Sequence, residues 1–382
     1  MSQFFNWLAG LPPLAQIPFV VAAFAAVIGL VLFFVEIVPR SGRGYSWMRL
    51  AIAVLVPVVV ILVLGVESGA YWVILLGAVL GGGLFWLDFR ARQGSGYLLQ
   101  LFGFMAPALI LLLIGMVYPT ISTFISAFMS NDGTHFVGLD NFAWVFSPGS
   151  QGGLIAVINT LVWVLIAPVF ATAIGLAYAV FVDKSRGEKV LKVLIFMPVA
   201  ISLVGASIIW KFFYDFRQGN QIGLLNQVME WFGLQPVSWL QSYPVNMLLL
   251  IVILIWSQTG FAMVILSAAI RNVPLEQVEA AELDGTNAWQ RFWNVTVPGI
   301  RPTLIVVWIT ISITSLKVYD IIAATTAGQN NTTVLAYDMV TQFSLLPPQS
   351  GHSAVLALII FILVTPFIIY NAHNLKVQRE IG

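Results

Sequence analysis

The sequence predicts an all-α integral membrane protein with about nine transmembrane helices, a fold class indicated by its composition and by the length of its apolar runs. Of the 382 residues, 59% are hydrophobic and 9% are charged. An average soluble domain is about 45–50% apolar and about 25% charged, so this chain is too apolar for a water-soluble fold. Its apolar runs reach the roughly 20 residues that a helix needs to cross a bilayer, and they lack the short alternation of a barrel strand.

The apolar runs are expected to be helical because lipid offers no hydrogen-bond partner to a free backbone N–H or C=O group. A flexible joint at Gly94-Ser95-Gly96 divides three N-terminal helices, in residues 1–93, from a core of six helices in residues 94–382. The predicted spans lie near residues 15–38, 50–66, 70–88, 99–127, 156–182, 190–212, 244–270, 302–324 and 352–372.

The basic residues predict how these helices are oriented, because lysine and arginine collect in cytoplasmic loops. All but Lys211, Arg217 and Lys317 of the 17 basic residues fall on one side of a nine-span arrangement. We therefore predict that the N-terminus lies outside the cytoplasmic membrane and that the C-terminus and the loop 272–300 lie in the cytoplasm.

Absences in the sequence narrow the classes of function. There is no cysteine, which excludes disulfides and thiolate chemistry. The three histidines, His135, His352 and His373, lack metal-ligand spacing, and no phosphate-binding G-x-x-x-x-G-K-S/T loop is present. A net charge of +1 offers no basic surface for nucleic acid. We expect this chain to be no enzyme, to hold no metal or cofactor and to bind no nucleic acid.

The loop 272–300 is a long polar stretch between two apolar runs. After Pro274, which suits a first helical turn, residues 275–283 are predicted to form a short helix. Gly285 is expected to break this helix because glycine adopts positive φ. Asp284 or Thr286 is expected to cap a second helix over residues 287–295. The loop is therefore predicted to be two short helices at an angle.

The polar face of this loop is acidic, whereas a helix lying on the membrane surface would be expected to carry lysine and arginine. Small alanine side chains permit close approach by a partner, and the glutamates can meet cationic groups. We also expect a proline to end the second helix. The residues predicted to contact a soluble partner are Glu279, Ala280, Ala281, Asp284, Gly285, Phe292 and Pro298.

The spacing of these residues resembles a known motif. The loop has Glu-Ala-Ala, then Gly after three further residues, and after nine more an aliphatic residue, one residue of any type, a second aliphatic residue and Pro. This spacing is similar to the cytoplasmic "EAA" loop of permease subunits of ATP-binding cassette (ABC) importers. Further segments, over about residues 99–382, resemble carbohydrate importer permeases, in particular the larger permease of maltose and α-glucoside transporters. These segments are Phe136–Phe142, Asn159–Leu161, Phe196–Pro198, Trp210–Phe212, Gly223–Asn226, Lys317–Ile322 and Thr326–Gly328.

The resemblance implies a place in a larger assembly in a bacterial cytoplasmic membrane. A second, related permease would complete the pathway, and two ATP-binding cassette ATPase subunits would bind ATP and Mg²⁺ and receive the loop 272–300. An external solute-binding protein would deliver a sugar such as maltose, trehalose or another α-glucoside. The three N-terminal helices depart from the two extra helices that are usual in the larger maltose-type permease.

Polar side chains within two predicted spans indicate where a solute could bind, since such residues are costly in lipid and tend to face the bundle interior. Amide and hydroxyl groups beside an aromatic ring suit a neutral sugar. Lys317 and Asp320, three residues apart, are expected to pair on one helix face. The candidate substrate residues are Ser257, Gln258, Phe261, Thr314, Ser315, Lys317, Tyr319 and Asp320. As alternatives, the hydroxyls can join helices and Lys317 can extend to the outer headgroups.

Other functions remain open at this point. The chain could be a secondary transporter driven by an ion gradient, with Lys317 and Asp320 as its relay, although we find no clear internal repeat of the kind many such folds have. It could also be a non-transporting membrane scaffold, or an importer of the same architecture for a non-sugar polyol.

Overall fold

The computed structural model describes residues 112–147, 153–182, 187–216 and 223–381, with isolated positions at 105, 108, 109 and 185. The three predicted N-terminal helices and the joint at residues 94–96 lie outside these residues. The chain divides into two units, Met1–Val117 and Tyr118–Gly382. In the first unit, the one element with described bounds is a short π-helical segment at Leu113–Val117.

The second unit is helical, and its described residues contain no strand beyond an isolated bridge between Met129 and Phe136. The helices are α1 Tyr118–Ser126, α2 Asp140–Phe146, α3 Gly153–Val182, α4 Glu188–Phe196, α5 Leu203–Phe213, α6 Leu224–Trp231, α7 Val245–Arg271, α8 Leu275–Leu283, α9 Ala288–Arg291, α10 Val297–Leu316, α11 Asp320–Thr325, α12 Leu335–Ser344 and α13 Ser350–Ile381. A 3₁₀ turn at Met197–Ala200 and a π-helical segment at Phe292–Thr296 join neighbouring helices.

Four helices among the described residues are long and apolar enough to cross a membrane. Three of them, α3, α7 and α13, confirm the predicted spans at 156–182, 244–270 and 352–372. A bent helix pair raises the number to as many as five if the pair forms one span. The predicted count of nine is not reached by the residues that the structure describes.

The predicted span at 190–212 is wrong as a single helix. Glu188–Ala200 and Leu203–Phe213 meet at 101°. Pro198 lies in the 3₁₀ turn that precedes the break, and Ile201 is extended with ψ 134°. Ser202 then starts α5 because its side chain accepts a hydrogen bond from the Gly205 N–H at 3.1 Å. A proline without an N–H, followed by a serine N-cap, is a local reason for a helix to stop and restart.

The predicted span at 302–324 is also wrong in its bounds. The observed helix begins at Ala288 and ends at Leu316, and Lys317 donates its N–H three residues back, to Thr314, which tightens the last turn. The turn that follows buries Val318 in the core while Lys317 stays exposed. Since Asp320 begins the separate helix α11, the predicted pairing of Lys317 with Asp320 on one helix face is wrong.

One of the buried clusters lies between α3, α7 and α10, where small residues allow close packing. A Cβ added to Gly175 of α3 would lie 2.5 Å from the Cβ of Ala262 on α7. Close approach of backbones through small side chains is a common way for membrane helices to associate, since lipid provides no hydrophobic force between them. These three helices therefore form the scaffold that positions the polar side chains discussed below.

Candidate functional site

The loop 272–300 forms an exposed bend, which we call the elbow (residues 275–296). Its first helix, α8, has the predicted bounds, and Gly285 has φ +78° as expected. The predicted cap is wrong: Asn287 caps α9 by accepting from the Gln290 N–H at 2.8 Å, while the Gln290 side chain accepts from the Asn287 N–H at 3.0 Å. Thr286 instead donates to the main-chain oxygen of Ala281 at 2.6 Å. Both contacts fix the bend.

The expectation that Pro298 ends the second helix is wrong as well. The helix continues from α9 through the π-helical segment into α10, so the elbow runs directly into a candidate membrane span. Pro298 is the second residue of α10, directly after the π-helical segment. Because proline has no N–H, one main-chain hydrogen bond is missing at this junction, but the helix does not end there. Movement of the elbow would therefore reach α10 without an intervening loop.

The surface of the elbow is both apolar and acidic. No residue from Leu275 to Thr296 is buried, and Leu283 and Trp289 are 89% and 69% exposed. Arg291 of α9 pairs with Glu282 of α8 at 2.8 Å, which links the two helices. Large apolar side chains exposed together mark contact surfaces more often than free surface. The arrangement suits a protein partner that offers apolar and cationic groups.

The structure places all the predicted coupling residues on this elbow or at its end. Ala281 and Phe292 are half-buried, and Phe292 contacts the rings of Trp289 and Trp293. The remaining predicted coupling residues are exposed: Glu279, Ala280, Asp284, Gly285 and Pro298.

The predicted substrate residues of α7 and α10 form two groups, according to whether their polar atoms already have a hydrogen-bond partner in the described residues. Ser257 and Ser315 are buried, and each hydroxyl donates to a carbonyl of its own helix, at 3.1 and 2.9 Å. Thr314 does the same with Thr310 at 3.0 Å. Each of these three hydroxyls already has an acceptor within its own helix. For the buried serines, this favours a role in helix packing over a role in binding the solute.

Gln258 differs from these hydroxyl residues. It is half-buried, and its amide makes no hydrogen bond within the part of the chain that the structure describes. Phe261, one turn further along α7, is half-buried against the α3–α7–α10 core. Gly260 between them packs against the last residues of α4: an added Cβ would lie 2.5 Å from the Ile195 oxygen. Gln258 lies at nearly the same level along α7 as this contact, but residues two apart do not share a helix face, so its side chain is not directed at the end of α4.

The other predicted substrate residues, Lys317, Tyr319 and Asp320, lie closer to the N-terminal end of α7 than Gln258 does. Val318 shares a core cluster with Leu250 and Leu254, which precede Gln258 by eight and four residues, or about 12 and 6 Å along a helix. Tyr319 is half-buried, and its ring stacks on Tyr337 with centroids 5.8 Å apart. Lys317 is exposed and Asp320 is half-buried. The predicted substrate residues therefore occupy two levels of the bundle.

Sequence reasoning did not assign a role to the buried asparagines. Asn159 donates its amide to the main-chain oxygens of Asn331 and Thr333 at 2.7 and 2.8 Å, and Asn246 donates to that of Asn330 at 2.9 Å. Asn330 and Asn331 both have positive φ, so side-chain amides hold a strained turn in place. An asparagine inside an apolar run, as Asn159 is, was the signal that could have shown this.

A buried carboxyl group was also missed. Asp338 of α12 is buried, and burial raises its pKa although the Gln342 amide donates to Oδ1 at 3.3 Å. Because the folded state favours the protonated carboxyl, the stability that this group contributes is present at low pH and is lost as the pH rises through its folded pKa.

Comparisons with known proteins agree with this architecture. A family model described as "Binding-protein-dependent transport system inner membrane component" matches residues 171–379. The alpha-glucoside transport system permease protein AglF of Rhizobium meliloti is 44% identical over 281 residues, which is 73% of this chain and 82% of that protein. The trehalose/maltose transport system permease protein MalF of Thermococcus litoralis is 28% identical over 294 residues, 75% of this chain and 95% of that protein.

A solved structure has the same fold. A chain of a bacterial ABC transporter involved in the import of the acidic polysaccharide alginate superimposes with a TM-score of 0.64 at 22% identity, over 77% of this chain and 99% of that one. A helical membrane bundle of this fold, with an exposed elbow between two spans, defines the class of multi-pass importer permeases. The chain belongs to the family of binding-protein-dependent transport system inner membrane components. The resemblance predicted from the EAA spacing is confirmed.

Proposed function

We propose that this chain is the permease subunit of an ATP-driven carbohydrate importer, that it forms half of the translocation pathway and that its elbow docks on a separate ATPase. The observation that carries the proposal is the elbow itself. It is unburied along its length, acidic and aromatic, and continuous with a membrane span through α10. A rigid, exposed bend of this kind can transmit displacement from a soluble partner to a membrane helix.

The substrate class that we propose is a neutral sugar, in particular maltose, trehalose or another α-glucoside. Relatives named for alpha-glucoside and trehalose/maltose transport support this class. The half-buried amide of Gln258, without a hydrogen-bond partner among the described residues, and the aromatic pair Tyr319 and Tyr337 suit a ligand with a polar rim and an apolar face. A non-sugar polyol is the second candidate, since a relative is named for uptake of osmoprotective compounds.

The partners follow from the same proposal. A second, related permease would complete the pathway, and two ATP-binding cassette subunits would hold ATP and Mg²⁺. An external solute-binding protein would supply the sugar, and the solved alginate transporter in complex with a pentasaccharide-bound periplasmic protein supports this arrangement. We further propose an outer N-terminus, a cytoplasmic C-terminus and a boundary near residue 93 between the N-terminal helices and the permease core.

Reconstitution tests the transport mechanism. In liposomes that contain the full complex and its external binding protein, we expect uptake of labelled α-glucoside to require ATP on the side of the membrane where the ATPase lies. Uptake should persist when ionophores collapse the proton and sodium gradients. Uptake that follows the ion gradient and ignores ATP would instead support a secondary transporter. A complex that purifies without an ATPase would support a scaffold.

Replacement of Gln258 by leucine tests the solute site. We expect Gln258→Leu to raise the solute concentration needed for half-maximal uptake by about tenfold, because one hydrogen bond to a buried ligand contributes about 1.5 kcal/mol. The measurement is uptake kinetics in the same liposomes, with ATPase association as a check on assembly. Ser315→Ala is the matched control, since the Ser315 hydroxyl donates within its own helix. Unchanged kinetics in Gln258→Leu would remove Gln258 from the site.

A further inference from the structure

A cluster of charged and polar side chains joins the first half of the broken span to the last turn of α7. Glu188, the first residue of α4, accepts at Oε1 from the Lys192 ammonium at 2.9 Å and from the Arg271 guanidinium. Lys192 also donates to the Ser267 hydroxyl at 2.6 Å. Lys192 is only 22% exposed and Ser267 is 2% exposed. Lys192 is thus partly shielded from water, where charge-assisted hydrogen bonds are stronger than at a free surface, whereas the Glu188 and Arg271 side chains are 31% and 51% exposed.

The contacts between α4 and α7 follow an antiparallel register. Glu188 meets Arg271, and one turn further along α4 Lys192 meets Ser267, which is four residues earlier on α7. At the far end of α4, the backbone at Ile195 and Phe196 lies against Gly260, where an added Cβ would be 2.5 and 2.9 Å from their atoms. Two helices that touch at both ends in this way move as one body, unless one of the contacts is released.

These contacts lie between the elbow and the broken span. Arg271 ends α7, and Pro274, three residues later, is the N-cap of α8. At the other end of α4, the 3₁₀ turn Met197–Ala200 leads into the 101° break. Gln258, the proposed solute contact, is two residues from Gly260. A displacement of the elbow would therefore reach the break, which lies near the level of Gln258 along α7, through α7 and α4 together.

We propose that Glu188 is a positioning residue for coupling: it locks α4 to α7, so that movement of the elbow shifts the broken span next to the solute. This inference rests on the proposed function, because it takes the elbow as the contact with the ATPase. Without the Glu188 carboxylate, Arg271 loses this link to α4, whereas the Lys192–Ser267 hydrogen bond remains. The join between α4 and α7 is then weaker, so that α4 follows a movement of α7 less closely. ATP hydrolysis would continue, but less solute would cross for each ATP.

Glu188→Gln in the complete importer tests the proposal, with two readouts: ATPase association, and solute imported per ATP hydrolysed. We expect normal association and a several-fold lower ratio. Lys189→Gln is the matched control, because Lys189 is the exposed neighbour on the same helix and should keep the wild-type ratio. Arg271→Gln should reproduce the defect, the double variant should add little to it, and Arg271→Lys should restore much of the ratio.

Each outcome is decisive. A wild-type ratio in an assembled Glu188→Gln complex overturns the proposal whatever Arg271→Gln shows, and so does loss of assembly in both variants, since that would show a role in folding alone. If only Glu188→Gln fails to assemble, the ratio measured for Arg271→Gln decides. Failure of the proposed function has a different signature: the wild-type complex itself would import without ATP or would lack an ATPase.

Discussion

Gly285→Pro is expected to abolish ATPase association and to reduce solute uptake to background. Gly285 has φ +78°, and its N–H donates to the Glu282 oxygen at 3.0 Å. Proline fixes φ near −65° and has no N–H, so this substitution both loses the hydrogen bond and reverses the bend between α8 and α9. The elbow would then present its acidic and aromatic groups in different directions. Co-purification of the ATPase and uptake in liposomes measure the effect.

Gly233→Pro is a closely matched control for this change. Gly233 also has positive φ, +74°, and its N–H donates to the oxygen three residues back, Glu230, at 2.9 Å. Both glycines have open space where a side chain would lie. Because Gly233 precedes α7 and the elbow follows it, the two lie at opposite ends of a candidate membrane span, and the Gly233 substitution should leave ATPase association intact. If Gly285→Pro associates with the ATPase and imports solute as the wild type does, the elbow is not the docking surface.

Gly260→Ala is expected to destabilise the membrane core. The new Cβ would lie 2.5 Å from the Ile195 oxygen and 2.9 Å from the Phe196 Cα. These are backbone atoms, which cannot rotate away as a side chain can. Overpacking of this kind costs about 1–3 kcal/mol, so the midpoint of thermal unfolding in detergent should fall by several degrees.

Gly187→Ala provides the comparison for this effect. Gly187 precedes α4, and among the described residues an added Cβ there would meet only the Leu191 side chain, at 3.9 Å, which is ordinary van der Waals contact. Its unfolding midpoint should stay close to that of the wild type. Equal midpoints for Gly260→Ala and the wild type would mean that α7 and the broken span are not in close contact at this point.

The shape of the elbow could be predicted from the sequence because local rules decide it. Leu275–Leu283 was predicted with the observed bounds, and Gly285 adopts the positive φ expected of it. The cap was assigned to the wrong residue because Asp284, Thr286 and Asn287 are all good capping types. Choosing among them requires the hydrogen bond that Asn287 shares with Gln290.

The candidate solute site was less predictable. Gln258 and Ser257 are adjacent polar residues in one apolar run, yet Ser257 bonds to its own helix and Gln258 has an unused amide among the described residues. The pairing of Lys317 with Asp320 assumed an unbroken helix, whereas α10 ends at Leu316. Lys317 and Asp320 interrupt the apolar run at this turn, but an interruption of this kind is equally consistent with two paired charges on a continuous helix. Only the structure shows the turn, with Val318 buried between the two charged residues.

The sequence alone determined that the chain is a helical membrane protein of the importer permease family and that its polar loop bends at Gly285. These features depend on composition, on residue spacing and on the conformations that single residues prefer, and all three can be read along the chain. Only the tertiary structure decided that one predicted span is broken, that Lys317 and Asp320 lie on different elements, and that Glu188 joins α4 to α7. Those features depend on which groups meet across helices, and contacts between residues about 80 positions apart are set by packing rather than by local preference.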